Sequence, residues 1–209
     1  MAAERILDAA AALFGERGFA AVSVRDVALR AGVKKASVFY YFGSKAELFE
    51  RVLDRYYEAH ARALEAVARG PGDAHERLHR LLDGYLDFME DSERWVRLVQ
   101  SELGAGSAHL PRIARGLELL YERVRAVLDG LVPEQGPLAA RHFFVSFAGI
   151  VNAYPTYAPA LGDIFHGDPL AAHARRERRE HVHFVADALL HALLERERGR
   201  GAGPARSRG

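Results

Sequence analysis

The chain has 209 residues, 49% of them hydrophobic and 27% charged, a balance that supports a packed core. Its 29 basic and 28 acidic residues leave a net charge of +1, so any case for a nucleic-acid partner must rest on a local patch rather than on bulk charge. Cysteine is absent, which excludes a disulfide framework and cysteine-ligated zinc or iron–sulfur sites.

The first segment reads as a helix, with Ile6, Ala10, Leu13 and Phe14 at helical spacing and Gly15 and Gly18 marking its end. The opening MAAERILDAA places Glu4 and Asp8 where a signal peptide needs an apolar stretch. No apolar run approaches the ~18 residues needed to span a bilayer, so a cytoplasmic protein with no membrane partner is expected. Ser23 with Asp26 three residues on forms a capping-box variant that opens a short helix, VRDVALRA, broken by Gly32. A third short helix follows at about 35–41. Ser44 then caps a longer one in which Leu48, Val52, Tyr56, Ala59 and Ala63 make an apolar stripe. Gly70, Pro71 and Gly72 end it, and further helices read at about 73–91, 93–103, 109–131, 137–154 and 169–197. The last residues, GRGAGPARSRG, carry no large apolar side chain and are expected to be disordered. The expected fold class is all-α.

Residues 22–45, VSVRDVALRAGVKKASVFYYFGSK, have a helix-turn-helix layout. Two short helices meet at Gly32, a residue able to adopt positive φ in a tight turn. Ala28 is small where the helices must approach, and Val38 and Phe42, four apart, are expected to share one buried face. That leaves Lys34, Lys35, Ser37, Tyr40 and Tyr41 outward, on the helix expected to read the major groove. Across 25–45 there are five basic residues against Asp26 alone, a local charge of +4. The helix after Ser44 offers its N-terminal N–H groups to a phosphate beside Lys45. Phosphate contacts position without specifying sequence, so base discrimination falls to Lys35, Ser37 and Tyr40. An ordinary helical hairpin with a solvated basic edge is the competing reading.

The stretch from ILDAAAALFGERGF to FYYFGSKAELF, about a quarter of the chain, closely resembles the DNA-binding domain of the tetracycline-repressor (TetR) family of bacterial transcription regulators. The resemblance implies an N-terminal three-helix helix-turn-helix domain (1–46) joined by a linking helix to a larger helical ligand-binding and dimerisation domain (47–197), with a disordered basic tail (198–209). It implies that Arg25 contacts backbone or a base edge, that Lys34 and Lys35 lead into the recognition helix, and that Ala36 and Ser37 lie nearest the bases. Phe39, Tyr40 and Tyr41 then flank phosphates and Lys45 clamps one. The family usually has tyrosine where Phe39 stands, so Phe39 is expected to be mainly a packing residue. Histidine is frequent at the position of Tyr41, and glycine, proline or alanine at that of Ala36. The function implied is a homodimeric repressor released from a palindromic double-stranded operator by a small, largely apolar inducer. A ligand-free architectural or partner-recruiting DNA-binding protein is the alternative. No enzyme activity and no cofactor are implied.

Dimerisation has independent support. In FFVSFAGIV, residues 143–151, only Ser146 is polar, so that helix should contact something beyond its own domain. The last long helix places Val182, Val185, Ala186, Leu189 and Leu193 on one face, with Leu190 and Leu194 beside it. Two such helices per protomer make a four-helix interface. For an inducer pocket, Phe88, Trp95, Leu98, Tyr121, Phe144, Phe147, Tyr154 and Tyr157 are candidate walls, with Glu102 and Asn152 as polar anchors; each is also an ordinary core residue. His75-Glu76-Arg77-Leu78-His79 matches the H-E-x-x-H zinc-peptidase motif. Leu82 and Tyr85 stand where its extended form needs glycine and a third histidine, so no metal site is expected from it. His166, His173, His181 and His183 are expected to be solvated. The tail's G-x-G-x-G follows no strand and is no nucleotide loop.

Overall fold

The computed structural model describes residues 1–68 and 70–201, without the side chains of residues 68, 74, 194 and 196–201. Nine helices and no strand occur among the described residues: α1 (Ala2–Ala21), α2 (Val24–Ala31), α3 (Lys35–Phe42), α4 (Lys45–Ala68), α5 (Ala74–Asp91), α6 (Glu93–Gly104), α7 (Leu110–Leu128), α8 (Ala140–Leu161) and α9 (Ala172–Gly201). None of them is long and apolar enough to cross a membrane.

Local chemistry sets the first boundaries. Gly18 interrupts α1 at φ 80°, where the sequence places a break. The Ser23 hydroxyl accepts from the Asp26 N–H at 3.2 Å, while the Ser23 N–H donates to the Asp26 carboxylate at 2.9 Å, a reciprocal cap on α2. The Ser23 hydroxyl also donates to that carboxylate at 2.6 Å, and this bond, together with the one from the Ser23 N–H, holds the Asp26 carboxyl below the usual aspartate range. Ser23→Ala should therefore cost about 1 kcal/mol of unfolding free energy, measurable by urea denaturation. Gly32 closes α2 in the left-handed region at φ 63° and ψ 40°, and the Val33 N–H returns to the Ala28 carbonyl at 3.0 Å.

By packing, the chain forms two compact units: the first takes 1–63 with 88–120, the second 64–87 with the chain from 121 onward. The packing division does not fall at the expected boundary of 46, because the first unit also takes in the head of α4 with its wholly buried Phe49. It meets Phe14 edge-on at 5.0 Å and lies 4.9 Å from Phe19. Ile6, Ala10, Leu13 and Phe14 of α1, Val27 of α2 and Val38 of α3 close the same core. Phe42 is half-buried rather than sharing Val38's full burial, since it is the last residue of α3. Along α4 the buried stripe is Leu48, Val52, Leu53, Tyr57, His60, Ala61 and Leu64, rotated from the expected one, which leaves Tyr56, Ala59 and Ala63 half-buried.

In the second unit α8 runs to Leu161, beyond its expected end at 154, with Pro155 and Pro159 inside it. The Thr156 hydroxyl donates to the Asn152 carbonyl at 2.6 Å, giving an acceptor near the missing proline donor a second partner. Similarly, α9 continues to Gly201, past 198 where a disordered tail was expected. Glutamate and arginine are good helix formers and Gly199 alone does not stop them. Residues 202–209, with Arg206 and Arg208, lie outside the described residues.

Candidate nucleic-acid interface

On α3, Lys35, Ala36, Phe39, Tyr40 and Tyr41 are exposed, as is Lys34 at its N-cap, while Ser37 is half-buried and Val38 anchors the helix from beneath. Tyr40 is 83% exposed, and its ring meets that of Tyr41 edge-on at 5.1 Å. Phe39 departs from its expected packing role. It is 43% exposed and its ring lies 5.6 Å below the Lys35 ammonium, because its position on α3 turns it away from Val38's buried face.

Arg25, Lys35, Phe39 and Lys45 line one surface depression of about 400 Å³ together with residues 20–24. Lys45 is reached there by its own packing: its ammonium lies 4.2 Å from the Phe19 ring centroid and donates to the Ala20 carbonyl at 3.4 Å. Its charge is thereby fixed at the rim formed where α1 ends and α2 begins. The Ser44 hydroxyl accepts from the Glu47 N–H at 3.1 Å and donates to the Glu47 carboxylate at 3.0 Å, so an acidic group shares this end of α4 with Lys45.

Not all of the local +4 faces outward as free charge. Arg30 makes a bidentate pair with Glu16 on α1, at 2.8 and 3.0 Å. The Arg30 hydrogen bonds hold the Glu16 carboxyl below its ordinary range. This partnership spans fourteen residues, so helical spacing gave no sign of it. The cations that remain for an anionic partner are Arg25, Lys34, Lys35 and Lys45.

The candidate ligand residues separate into two groups. Phe88, Trp95, Leu98 and Glu102 belong to the first unit, whereas Tyr121, Phe144, Phe147, Asn152, Tyr154 and Tyr157 belong to the second. In the first, Phe88 stacks on His60 at 4.2 Å and Trp95 stacks on Tyr56 at 5.7 Å. Glu102 Oε2 and the Tyr57 hydroxyl are buried with no hydrogen-bond partner among the described residues. His60 and Tyr57 escaped the sequence reading, and Tyr56 entered it only as a member of the apolar stripe of α4. In the second unit, Tyr121 meets Phe144 edge-on at 5.7 Å, Phe147 is buried, Asn152 Oδ1 is buried without a partner, and Tyr154 lies 5.0 Å from the buried Arg178 guanidinium. Tyr157 is 59% exposed.

Burial pushes the His60 imidazole down to about 3, so it is neutral in the folded chain. A histidine with a depressed folded value stabilises fully above its unfolded pKa of ~6.5 and progressively less as pH falls toward the folded one. Stability should thus fall by roughly 1.4 kcal/mol per pH unit below ~6.5 from this group alone. Urea titrations of His60→Leu against the unmodified chain should give a visibly flatter acid limb for the variant; parallel limbs would remove His60 from the account.

At the H-E-x-x-H segment, Glu76 is spent on capping α5. Its carboxylate accepts from the Asp73 N–H at 3.0 Å, and the Asp73 carboxylate accepts from the Glu76 N–H at 2.9 Å. The base a zinc peptidase requires is therefore committed elsewhere.

Residues 6–52 match the family described as "Bacterial regulatory proteins, tetR family". The chain is 32% identical over 147 residues to the transcriptional activator FasR of Mycolicibacterium smegmatis, covering 70% of this chain and 66% of that protein. It is 30% identical over 112 residues to the probable transcriptional regulator YttP of Bacillus subtilis, covering 53% and 54% respectively. The chain thus spans about half to two thirds of the length of these curated relatives. Other matched proteins are named repressors. Among solved structures, a TetR transcription regulator from Haloarcula marismortui shares the fold at a TM-score of 0.67 and 21% identity, covering 90% of this chain and 97% of that one. Capped helix-turn-helix, exposed aromatic-basic edge and these similarities converge: the chain belongs to the TetR family of transcriptional regulators.

Proposed function

We propose that the chain is a homodimeric repressor that binds a palindromic double-stranded DNA operator and is released from it by a small, largely apolar ligand. The observation that carries the reading is the depression where Arg25, Lys35, Phe39 and Lys45 meet beside the exposed edge of α3. Residues 1–46 act as the DNA-reading domain, 47–197 as the ligand and dimer domain, and the segment from 198 as a basic tail. Lys35, Ala36 and Ser37 meet base edges, while Arg25, Lys34, Phe39, Tyr40, Tyr41 and Lys45 hold the backbone. A cytoplasmic setting follows from such a partner.

A dimer through α8 and α9 is supported by what those helices leave uncovered. Phe143, Phe147, Val151 and Pro155 of α8 and Val182, Ala186, Leu190 and Leu193 of α9 are buried within the chain. Yet Val145 is 67% and Phe184 70% exposed. Gly149, one turn along α8 from Val145, has nothing within 4 Å of where a Cβ would stand, so a partner helix can approach closely. For the ligand, the unpartnered Glu102 Oε2 and Tyr57 hydroxyl are candidate polar anchors in the first unit, which also holds Phe88, Trp95 and Leu98. Movement of α4 on ligand binding would then change the spacing of the two recognition helices.

Light scattering on the purified chain tests the assembly, with twice the 23.1 kDa chain mass expected. A thermal-shift screen of small apolar acids, amines and neutral aromatics tests the ligand. Hits that raise the melting temperature should also release DNA, whereas hits with no effect on DNA binding would favour the ligand-free alternative.

A further inference from the structure

The seam between α5 and α9, which lies wholly within the second unit, gathers more ionisable chemistry than its packing needs. His75, His79, Asp83 and Asp87 recur every fourth residue along α5, facing Arg179, His183 and Asp187 at the same spacing on α9. Asp83 accepts from Arg179 at 2.8 Å and lies 2.9 Å from His183 Nε2, and Arg179 also reaches Asp87 at the far end. Those groups close a set of ion pairs. Nearer the start of α5 the pattern changes, because two imidazoles converge on one carboxylate oxygen. His75 Nε2 and His79 Nε2 lie 2.9 and 2.6 Å from the same Asp187 Oδ1, and the three ligand atoms all fall within 4.8 Å of one another.

We propose that His75, His79 and Asp187 bind one divalent transition-metal ion of the zinc class, clipping the first turns of α5 to α9. Two histidines four apart on one helical face with a carboxylate from a second helix supply the nitrogen and oxygen donors such ions take. Bonds of about 2.1 Å to a tetrahedral ion set its ligand atoms about 3.4 Å apart. Rotation of side chains that are 53%, 23% and 48% exposed supplies that opening without moving either helix. The exposure also gives the ion an entry path and leaves its fourth position to water. His183 stacks on His79 at 4.5 Å and fixes that ring's plane while its own Nε2 stays with Asp83. Because Glu76 caps the helix, the site is a structural clip and not a hydrolytic centre. The motif at 75–79 thus acquires a third ligand that its sequence neighbours, Leu82 and Tyr85, do not provide. This inference does not depend on DNA binding.

The test uses the full chain, stripped by chelator, desalted and titrated with Zn²⁺ against a chromophoric competitor near neutral pH. One ion per chain is expected, with affinity falling more than about tenfold in His75→Ala, His79→Ala and Asp187→Ala, since even outer partners of a metal ligand cost that much. Exposed His191, one of the chain's other histidines, serves as control, and His191→Ala should bind as the unmodified chain does. Co²⁺ added to the unmodified chain should give the visible absorption of a four-coordinate nitrogen–oxygen site, a readout that needs no variant to fold. Equal affinity in all three ligand variants, or a Co²⁺ spectrum indistinguishable from the hydrated ion, would overturn the proposal.

Discussion

Replacing Lys45 with methionine is expected to weaken operator binding by roughly a hundredfold or more while leaving the order of preferred sequences intact. The Lys45 ammonium sits over the Phe19 ring, a face that the thioether of methionine can still cover, so the change removes the charge and keeps an apolar contact there. A charge-assisted contact to phosphate contributes about 1.5–3 kcal/mol, and a dimer loses two of them. The signature that separates this from a folding defect is the salt dependence. Each lost phosphate contact should lower the slope of log affinity against log salt by about 0.9, hence by about 1.8 for the dimer. Fluorescence anisotropy at four salt concentrations measures both quantities. An affinity loss with an unchanged slope would mean a folding defect rather than a lost phosphate contact, and would remove Lys45 from the phosphate-binding set.

The second large effect is expected from Val145→Arg. Val145 is 67% exposed, so the chain should fold with nearly unchanged stability, because substitutions at such surface positions usually shift it by no more than about 0.5 kcal/mol. At the proposed α8 interface, however, two arginines related by a twofold axis would lie close together and desolvated. Light scattering should then report the mass of one chain, and DNA affinity should fall by about 10²–10⁴, the advantage that linkage gives a second half-site. Phe184→Glu on α9 should do the same, since Phe184 is 70% exposed. A dimer that survives both changes would move the interface off these helices.

How far the sequence discloses such features depends on the distance over which each is determined. The bounds of α2 are readable because Ser23, Asp26 and Gly32 act within a few residues of themselves. The continuation of α8 past Pro155 is not, because neighbouring groups rather than propensity decide whether a proline is tolerated. For the DNA-facing side, spacing alone puts Lys35, Tyr40 and Tyr41 outward. The packing role expected for Phe39 comes from the resemblance, through the missing tyrosine hydroxyl, and not from spacing; its angular position on α3 turns it to solvent. Arg30 is counted as a free cation until its partner Glu16, one helix away, is seen. The α5–α9 seam lay furthest from view, with His79 and Asp187 separated by 108 residues. No helical period reaches that far, and only tertiary structure brings the H-E-x-x-H histidines to a third ligand.

Selection of bound duplexes from a random pool by the full chain tests the central claim most directly. The expected product is an inverted repeat whose half-site centres lie one helical turn, about 34–36 Å, or a multiple of it apart, with Ser37 or Lys35 variants shifting the preferred bases within each half. Recovery of sequences no different from the starting pool, under conditions where the protein is folded and dimeric, would contradict it.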